Sequence, residues 1–387
     1  MSDRPKLLFL IPHLRGGGAA RVTRLLAENL SPKRFELHLG VVTEASVSPV
    51  AMPAEVSIHP LGSSRVRAGT LRILRMVRRL KPDVIVCGMA HLSFLVLILR
   101  PLFPSRTRVL IRQNSTASAA LEFGALPWYT GLLYKLLYHQ ADRILCQTSA
   151  MGRDLAALLA TDSEASDDCS RRKNTELITV LPNPVDVERI RAEARKPNSQ
   201  WKGPGPHLLA IGRLSPEKGF DLLLRAFFKV ILHFPHADLT ILGSGSEEAS
   251  LRRLAVEFDV SPAVRFAGHV DSPAVFFPGA TSFVLSSRHE GMPNALLEAA
   301  AAGLPIVALP ASQGMVELIE GQDGIWLAHS ISADALSDTL IEALQHIHTG
   351  LRFPHAFVDQ FRIERSIGIF QKIIDSEMTA RQGMHRS

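Results

Sequence analysis

Short apolar runs alternate with longer segments of helical period along most of the chain, the pattern of parallel sheets covered by helices. "KLLFLIPHL" predicts a strand, "GGGAARVTRLLAENL" a glycine loop entering a helix, and "FELHLGVVT" a second strand. Further strands are predicted at "DVIVCG", "RVLIRQ", "RILCQT" and "ITVLPN". The pattern then lapses in "EARKPNSQWKGPGP", Glu193 to Pro206, which is rich in Pro, Gly and Lys and has little to bury. A second series resumes with "HLLAIGRL", "ADLTILGSG", "AVRFAGHV", "SFVLSS", "PIVALP" and "GIWLA". The expected fold is α/β, with two doubly wound Rossmann-like domains: residues 1–190, a linker at 191–206, and residues 207–356. In this architecture ligands bind outside the carboxyl ends of the strands, and the facing ends of two such sheets would make an interdomain cleft. "TDSEASDDCSRRKNTE", Thr161 to Glu176, reads as a solvated loop, and no internal repeat is visible.

The length, 387 residues, agrees with two cores rather than one. With 46% hydrophobic and 21% charged residues the chain is globular, not disordered. The net charge of +6 is unevenly spread: residues 1–190 hold 25 Lys/Arg against 16 Asp/Glu, whereas residues 191–387 hold 18 against 21. The front half is therefore suited to an anionic partner such as phosphates or a membrane surface. Cys87, Cys146 and Cys169 are odd in number and widely spaced, which points to neither a disulfide framework nor a zinc site. The 15 His include no pair at ligand spacing, so no metal is expected. Met1 to Leu10 has no secretory pattern, and the longest apolar run, Leu92 to Leu99, is too short for a bilayer that needs about 20 residues. A cytoplasmic protein is expected.

Four motifs carry candidate chemistry. In "GRLSPEKG", Arg213 stands at a strand end with Lys218 five residues on. Two cations converging there suit a departing diphosphate, although a loop with two solvated bases reads the same way. In "LGSGSEEASLRRLA", Gly243 and Gly245 precede a helix, where backbone N–H groups can face phosphate; a plain tight turn is the stronger reading. In "HLRGGGAARV", Gly16, Gly17 and Gly18 follow the first strand, either to approach a ligand or to pack a helix close to the sheet. Their spacing is not that of a dinucleotide fingerprint, which disfavours a nicotinamide enzyme. In "SRHEGMPNALLEAAAAGLPIVAL", Glu290 and Glu298 lie eight residues apart, a rise of about 12 Å if helical. Glu298 on an Ala/Leu helix implies a buried carboxylate needing partners, for which ribose hydroxyls are suitable.

Together "GRLSPEKGFDLLLRAF", "ILGSGSEEASLRRLA", "VRFAGHV" and "SSRHEGMPNALLEAAAAGLPIVA" resemble, in order and spacing, the family 4 retaining glycosyltransferases of GT-B fold. "LPNPVD", Leu181 to Asp186, is similar to the family's segment closing the first domain. The resemblance implies that Arg213 and Lys218 bind the donor diphosphate. It also implies that Glu290 holds sugar hydroxyls with backbone at Gly291 and Met292, and that Glu298 holds the ribose. By the same resemblance, main chain near His269 and Val270 faces the base, Asn294 meets the nucleotide, and the Gly16–Gly18 loop lies near the donor phosphates. The helical pattern "FVDQFRIERSIGIFQKIIDS", spanning about 357–380, would cross back to the first domain in this fold. Two departures stand out. Ala20 occupies the place of a common Glu, and "IRQNSTA" offers Gln113 and Asn114 where relatives carry a His. Gln113 or Asn114 would then bond to sugar or acceptor, or simply close their loop.

The resemblance also implies retention without an enzyme nucleophile, by attack on the face the diphosphate leaves, with positioning and charge stabilisation as the protein's task. No cofactor is implied. A UDP- or GDP-sugar is the expected donor, and a glycan or lipid-linked molecule the expected acceptor; nucleic acid is not an expected partner. "RVRAGTLRILRMVRRLK", Arg65 to Lys81, holds seven bases and no acid, with Leu71, Ile73, Leu74, Val77 and Leu80 supplying an apolar side. Such a helix suits the anionic inner face of the cytoplasmic membrane, although an ordinary charged outer face is the plainer alternative. A sugar-nucleotide 2-epimerase and a non-catalytic sugar-nucleotide-binding protein are the rival functions.

Overall fold

The structure is a computed structural model and describes residues 4–14, 17–43, 52–122, 127, 129–160, 176–197 and 200–384. The chain divides into two compact units, residues 1–184 with 363–387, and residues 185–362.

In the first unit seven parallel strands run in the order β3-β2-β1-β4-β5-β6-β7. They are β1 (Lys6–Ile11), β2 (Glu36–Thr43), β3 (Val56–Ser63), β4 (Val84–Gly88), β5 (Arg108–Arg112), β6 (Arg143–Cys146) and β7 (Ile178–Val180). The central strands are buried on both sides, which is why they read as unbroken apolar runs. One sheet face is covered by helices Thr70–Leu80, Ala90–Leu99, Thr130–Leu137 and Ser149–Leu159, through Ile73, Val77, Leu97, Tyr134 and Leu155. The other face is covered by helix Gly18–Asn29 and the C-terminal helix Ile363–Met384, through Leu26, Phe370 and Ile374. Phe370 meets Phe9 at 6.2 Å between ring centroids, and Arg143 donates to Glu377 at 2.6 Å.

The second unit holds six parallel strands in the order β10-β9-β8-β11-β12-β13. These are β8 (His207–Ile211), β9 (Asp238–Leu242), β10 (Val264–Gly268), β11 (Ser282–Leu285), β12 (Ile306–Ala308) and β13 (Ile325–Leu327). One face packs on Leu223, Phe227, Leu336 and Leu340, the other on Leu296, Leu297, Phe277 and Met315. Both sheets reverse their strand order once, between β1 and β4 and between β8 and β11.

Several elements differ from the sequence reading. Strand β3 was not anticipated; it is one edge of the sheet, partly exposed, and carries Pro60, which an edge tolerates. The segment 191–206 is not a bare tether. Helix Val187–Ala194 runs into it, and Trp201, 8% exposed, stacks on His207 and donates from Nε1 to the Phe276 carbonyl at 2.8 Å. The C-terminal helix begins at Ile363; residues 356–361 form a 3₁₀ turn whose Val358 and Phe361 are buried in the second unit. The helix at 65–81 spans Thr70–Leu80, with Ile73 and Val77 buried and Leu71 on the opposite, exposed side. Cys87 and Cys146 are buried, and desolvation pushes both thiols up to about 12. Cys169 and nearly all of the 161–176 segment lie outside the described residues.

Burial lowers the pKa of His38, His59, His289 and His355 from the ordinary 6.5. Folding therefore favours the neutral ring of each, while the unfolded chain takes up protons as the pH falls through that value. The stability they contribute is present above about pH 6.5 and is lost as the pH drops towards the lower folded-state values. Thermal unfolding followed by circular dichroism should give a lower Tm near pH 5.5 than near pH 7.5. An equal Tm at both would contradict the neutral burial of these rings.

Candidate functional site

Most of the sequence-predicted residues of the second unit stand at the carboxyl ends of its strands, where open α/β sheets take ligands. Arg213 and Lys218 follow β8, His269 and Val270 follow β10, and Glu290 to Glu298 follow β11. The strand reversal falls between β8 and β11. Lys218 Nζ crosses it to form an ion pair with Glu290 Oε1, and Ser287 Oγ donates to the same oxygen at 2.7 Å. Arg213 is exposed. Burial opposes ionisation of Glu217, but the Ser215 hydroxyl, its own backbone N–H, and the charges of Arg213 and Lys218 together lower its pKa. Both cations thus act on one point beside the reversal.

The loops holding this pair are laced together by backbone. Ser286 Oγ donates to the Lys218 carbonyl at 2.9 Å, and Arg288 N to the Glu217 carbonyl at 2.8 Å. Arg288 forks onto Asp221 at 2.7 and 2.6 Å. Burial opposes ionisation of Asp221, yet the fork overrides it and holds the carboxyl below its ordinary range. Gly219, at φ 61°, lets the Lys218 loop pass against Ser286, whose carbonyl oxygen a Cβ would strike. Gly243, at φ 141°, does the same against the Gly212 carbonyl. Its neighbour Ser244 accepts from Leu214 N at 3.1 Å, and Glu247 N donates to the Leu214 carbonyl at 3.0 Å. The glycines of "LGSGS" therefore let this turn pack closely on the β8 loop.

Sequence reasoning missed Ser287, Arg288, Asp221 and His289. His289 is buried beside the pair; burial lowers its pKa, Glu290 and Glu217 act in the opposite sense, and Lys218 adds to the lowering. The available signal was the density of polar residues in "SSRHEG", which interrupts an otherwise apolar stretch.

Glu298 is 7% exposed, as the Ala/Leu surroundings implied. The helix, however, is Asn294–Ala301, and Pro293 before it is extended at ψ 113°. Glu298 is thus little more than one turn in, and the eight-residue spacing from Glu290 is not a helical rise. Asn294 opens that helix, and Met292 is buried. Backbone of this loop is fixed by Glu290 N donating to the Ala311 carbonyl at 3.0 Å and Ser312 Oγ to the Gly291 carbonyl at 3.2 Å. His269 is exposed and pairs with Asp271 at 3.6 Å.

In the first unit Gly17 and Gly18 lie at the start of helix Gly18–Asn29; Gly16 lies outside the described residues. Gln113 is 4% exposed, and its amide is engaged within its own loop and helix layer. Its Nε2 donates to the Ser115 carbonyl at 2.9 Å and to Tyr134 at 3.1 Å, while Tyr138 donates to its Oε1 at 3.0 Å. Asn114 accepts from buried Arg112 at 2.9 Å, and Arg112 also donates to Asn183 of "LPNPVD". Desolvation brings the Arg112 pKa down to about 10.

Two family models match. Residues 17–165 fit the glycosyl transferase 4-like domain and residues 205–346 the glycosyl transferases group 1. The chain belongs to this glycosyltransferase family. An uncharacterised glycosyltransferase of Methanocaldococcus jannaschii is 26% identical over 259 residues, covering 65% of this chain and 61% of that protein. The lipopolysaccharide core biosynthesis glycosyltransferase LpsE of Rhizobium meliloti is 27% identical over 255 residues, covering 66% and 64%. The matched stretches thus span less than two thirds of these relatives. The crystal structure of Anabaena HepE with UDP and glucose superposes with a TM-score of 0.76 at 15% identity, covering 96% of this chain and 100% of that one. The fold is GT-B, built from two parallel-stranded sheets of seven and six strands.

In this chain the β8 and β11 loops depend on Gly219. A Gly219→Ala variant combines a left-handed residue with a backbone collision and should lose roughly 2–4 kcal/mol of stability in urea unfolding. A loss under about 0.5 kcal/mol, the usual surface range, would remove the close-approach argument.

Proposed function

We propose that the chain transfers a sugar from a nucleotide-sugar donor to a glycan or lipid-linked acceptor, with retention of configuration. The observation that carries this reading is the Lys218–Glu290 pair across the β8/β11 reversal, with Arg213 on the same loop as Lys218. A guanidinium fork and an ammonium at one strand end supply positive charge where a diphosphate departs, without a metal. Glu290 accepts from Lys218 and Ser287, an arrangement suited to orienting sugar hydroxyls rather than attacking carbon. Glu298, Gly291, Met292, Asn294, His269 and Val270 then line the nucleotide from the same strand ends.

The acceptor hydroxyl attacks the anomeric carbon on the face from which the diphosphate leaves. The carbon–oxygen bond to phosphate breaks with its electron pair on the leaving oxygen, and that phosphate takes the acceptor proton. The protein positions both partners and stabilises the developing charge. Related structures support a nucleotide donor: HepE has been solved with UDP and with UDP-glucose. No helix among the described residues is long and apolar enough to cross a membrane. A lipid-linked acceptor would be met at the inner membrane surface, with the basic segment Arg65–Lys81 facing anionic headgroups.

Purified protein screened against UDP-, GDP- and ADP-sugars should show a raised Tm with its own donor. If no nucleotide sugar raised the Tm, the reading would fail. With the donor in hand, Lys218→Ala should lower kcat by roughly 10²-fold or more, the scale of losing one preorganised donor. Near-normal turnover in that variant would take Lys218 out of the reaction.

A further inference from the structure

We infer that one helical face of the first unit docks on an anionic bilayer by inserting separated leucine and isoleucine side chains between cationic ones. This deepens the lipid-linked acceptor reading above. Helices Thr70–Leu80, Ala90–Leu99 and Thr130–Leu137 form one layer, since all three pack on the same face of the first sheet. Arg78 Nε donates to the Leu102 carbonyl at 3.2 Å, tying the first helix to the 3₁₀ turn Arg100–Leu102 that ends the second.

Opposite their buried residues, these elements expose large apolar side chains. Leu132 and Leu136 are 57% and 60% exposed, one helical turn apart, while Tyr134 between them is buried. Ile98 and Leu102 are 54% and 48% exposed, and Leu71 is 63% exposed. Exposed Arg75 and Arg78 share the outward stripe of Leu71, opposite Ile73 and Val77. The exposed charge is largely one-signed: eight Lys/Arg of residues 56–141 are exposed against the single exposed acid Glu122, while Arg100 and Arg108 pair with Asp142 and Arg112 is buried. None of the three helices carries an acid.

This pattern selects the occupant. A protein partner asks for a contiguous apolar patch with charges at the rim. Here Leu132 and Leu136 stand one turn apart, Ile98 and Leu102 end the neighbouring element, and exposed Arg75 and Arg78 accompany Leu71, which matches the headgroup–acyl boundary: the apolar groups enter and the cations remain at phosphate depth. The cationic segment alone would predict salt-sensitive attraction to any anion. The exposed leucines add a component that salt does not screen.

Sedimentation with vesicles of phosphatidylcholine, alone or mixed with phosphatidylglycerol, tests the inference on the full chain. Binding is expected to the mixed vesicles, and to weaken but persist at high salt. Leu132→Asp with Leu136→Asp should lower partitioning at least about tenfold. Arg75→Gln should weaken binding to the anionic vesicles only. These positions are exposed, and an unchanged thermal transition confirms that the variants fold. Absence of binding at low salt, or unchanged partitioning of the double variant, would overturn the proposal. So would a wild-type dimer that the double variant converts to monomer, because the face would then join two copies of this chain. The nucleotide-sugar Tm shift reads the second unit separately, so loss of donor binding with vesicle binding intact would fail the transferase reading and leave this one standing.

Discussion

One ammonium–carboxylate contact, Lys218 with Glu290, spans the place where the second sheet reverses its strand order. Its two partners are far apart in the chain and meet only because β8 and β11 are adjacent and parallel, so that both following loops rise from the same sheet edge. The rest of the site is arranged to hold those loops in register. Arg288 forks onto Asp221, Ser286 reaches the Lys218 carbonyl, and Gly219 permits the approach. A charged pair held by backbone needs little reorganisation when charge develops beside it, which is the condition for electrostatic catalysis at a leaving group.

The first unit uses its corresponding strand ends differently. Gln113, Tyr134 and Tyr138 satisfy one another inside the layer, and Arg112 joins Asn114 to Asn183. A buried guanidinium bonded to amides rather than a carboxylate is costly, and desolvation lowers its pKa. What it secures is the relative position of the β5 loop and the chain leaving β7. Exposed positive charge is concentrated elsewhere in the unit, on helix Thr70–Leu80 and its flanking residues, whose inner side packs on the sheet through Ile73 and Val77.

Much of the architecture was legible because doubly buried parallel strands must be continuous apolar runs. Nine strands announce themselves in this way, and the edge strands β7, β10 and β13 still read as apolar runs; β3 does not, because its partly exposed edge position places no such demand on "VSIHPLGS". Composition likewise misread the segment before β8: Pro, Gly and Lys suggested solvent, while Trp201 within it found a pocket against His207 and Phe276. Gln113 shows the limit for single residues. An amide at a strand end looks the same in sequence whether it faces a ligand or two tyrosines.

The chain alone thus determined the two α/β halves, the loops that bear the charged residues, and burial of Glu298, since each follows from local period or from polar residues set among apolar ones. Only the tertiary structure decided which charges meet. Pairing Lys218 with Glu290, locking Asp221 to Arg288 and turning Leu132 and Leu136 outward all depend on which strands are neighbours and which helix face meets the sheet. Those are consequences of long-range packing, and spacing along the backbone does not encode them.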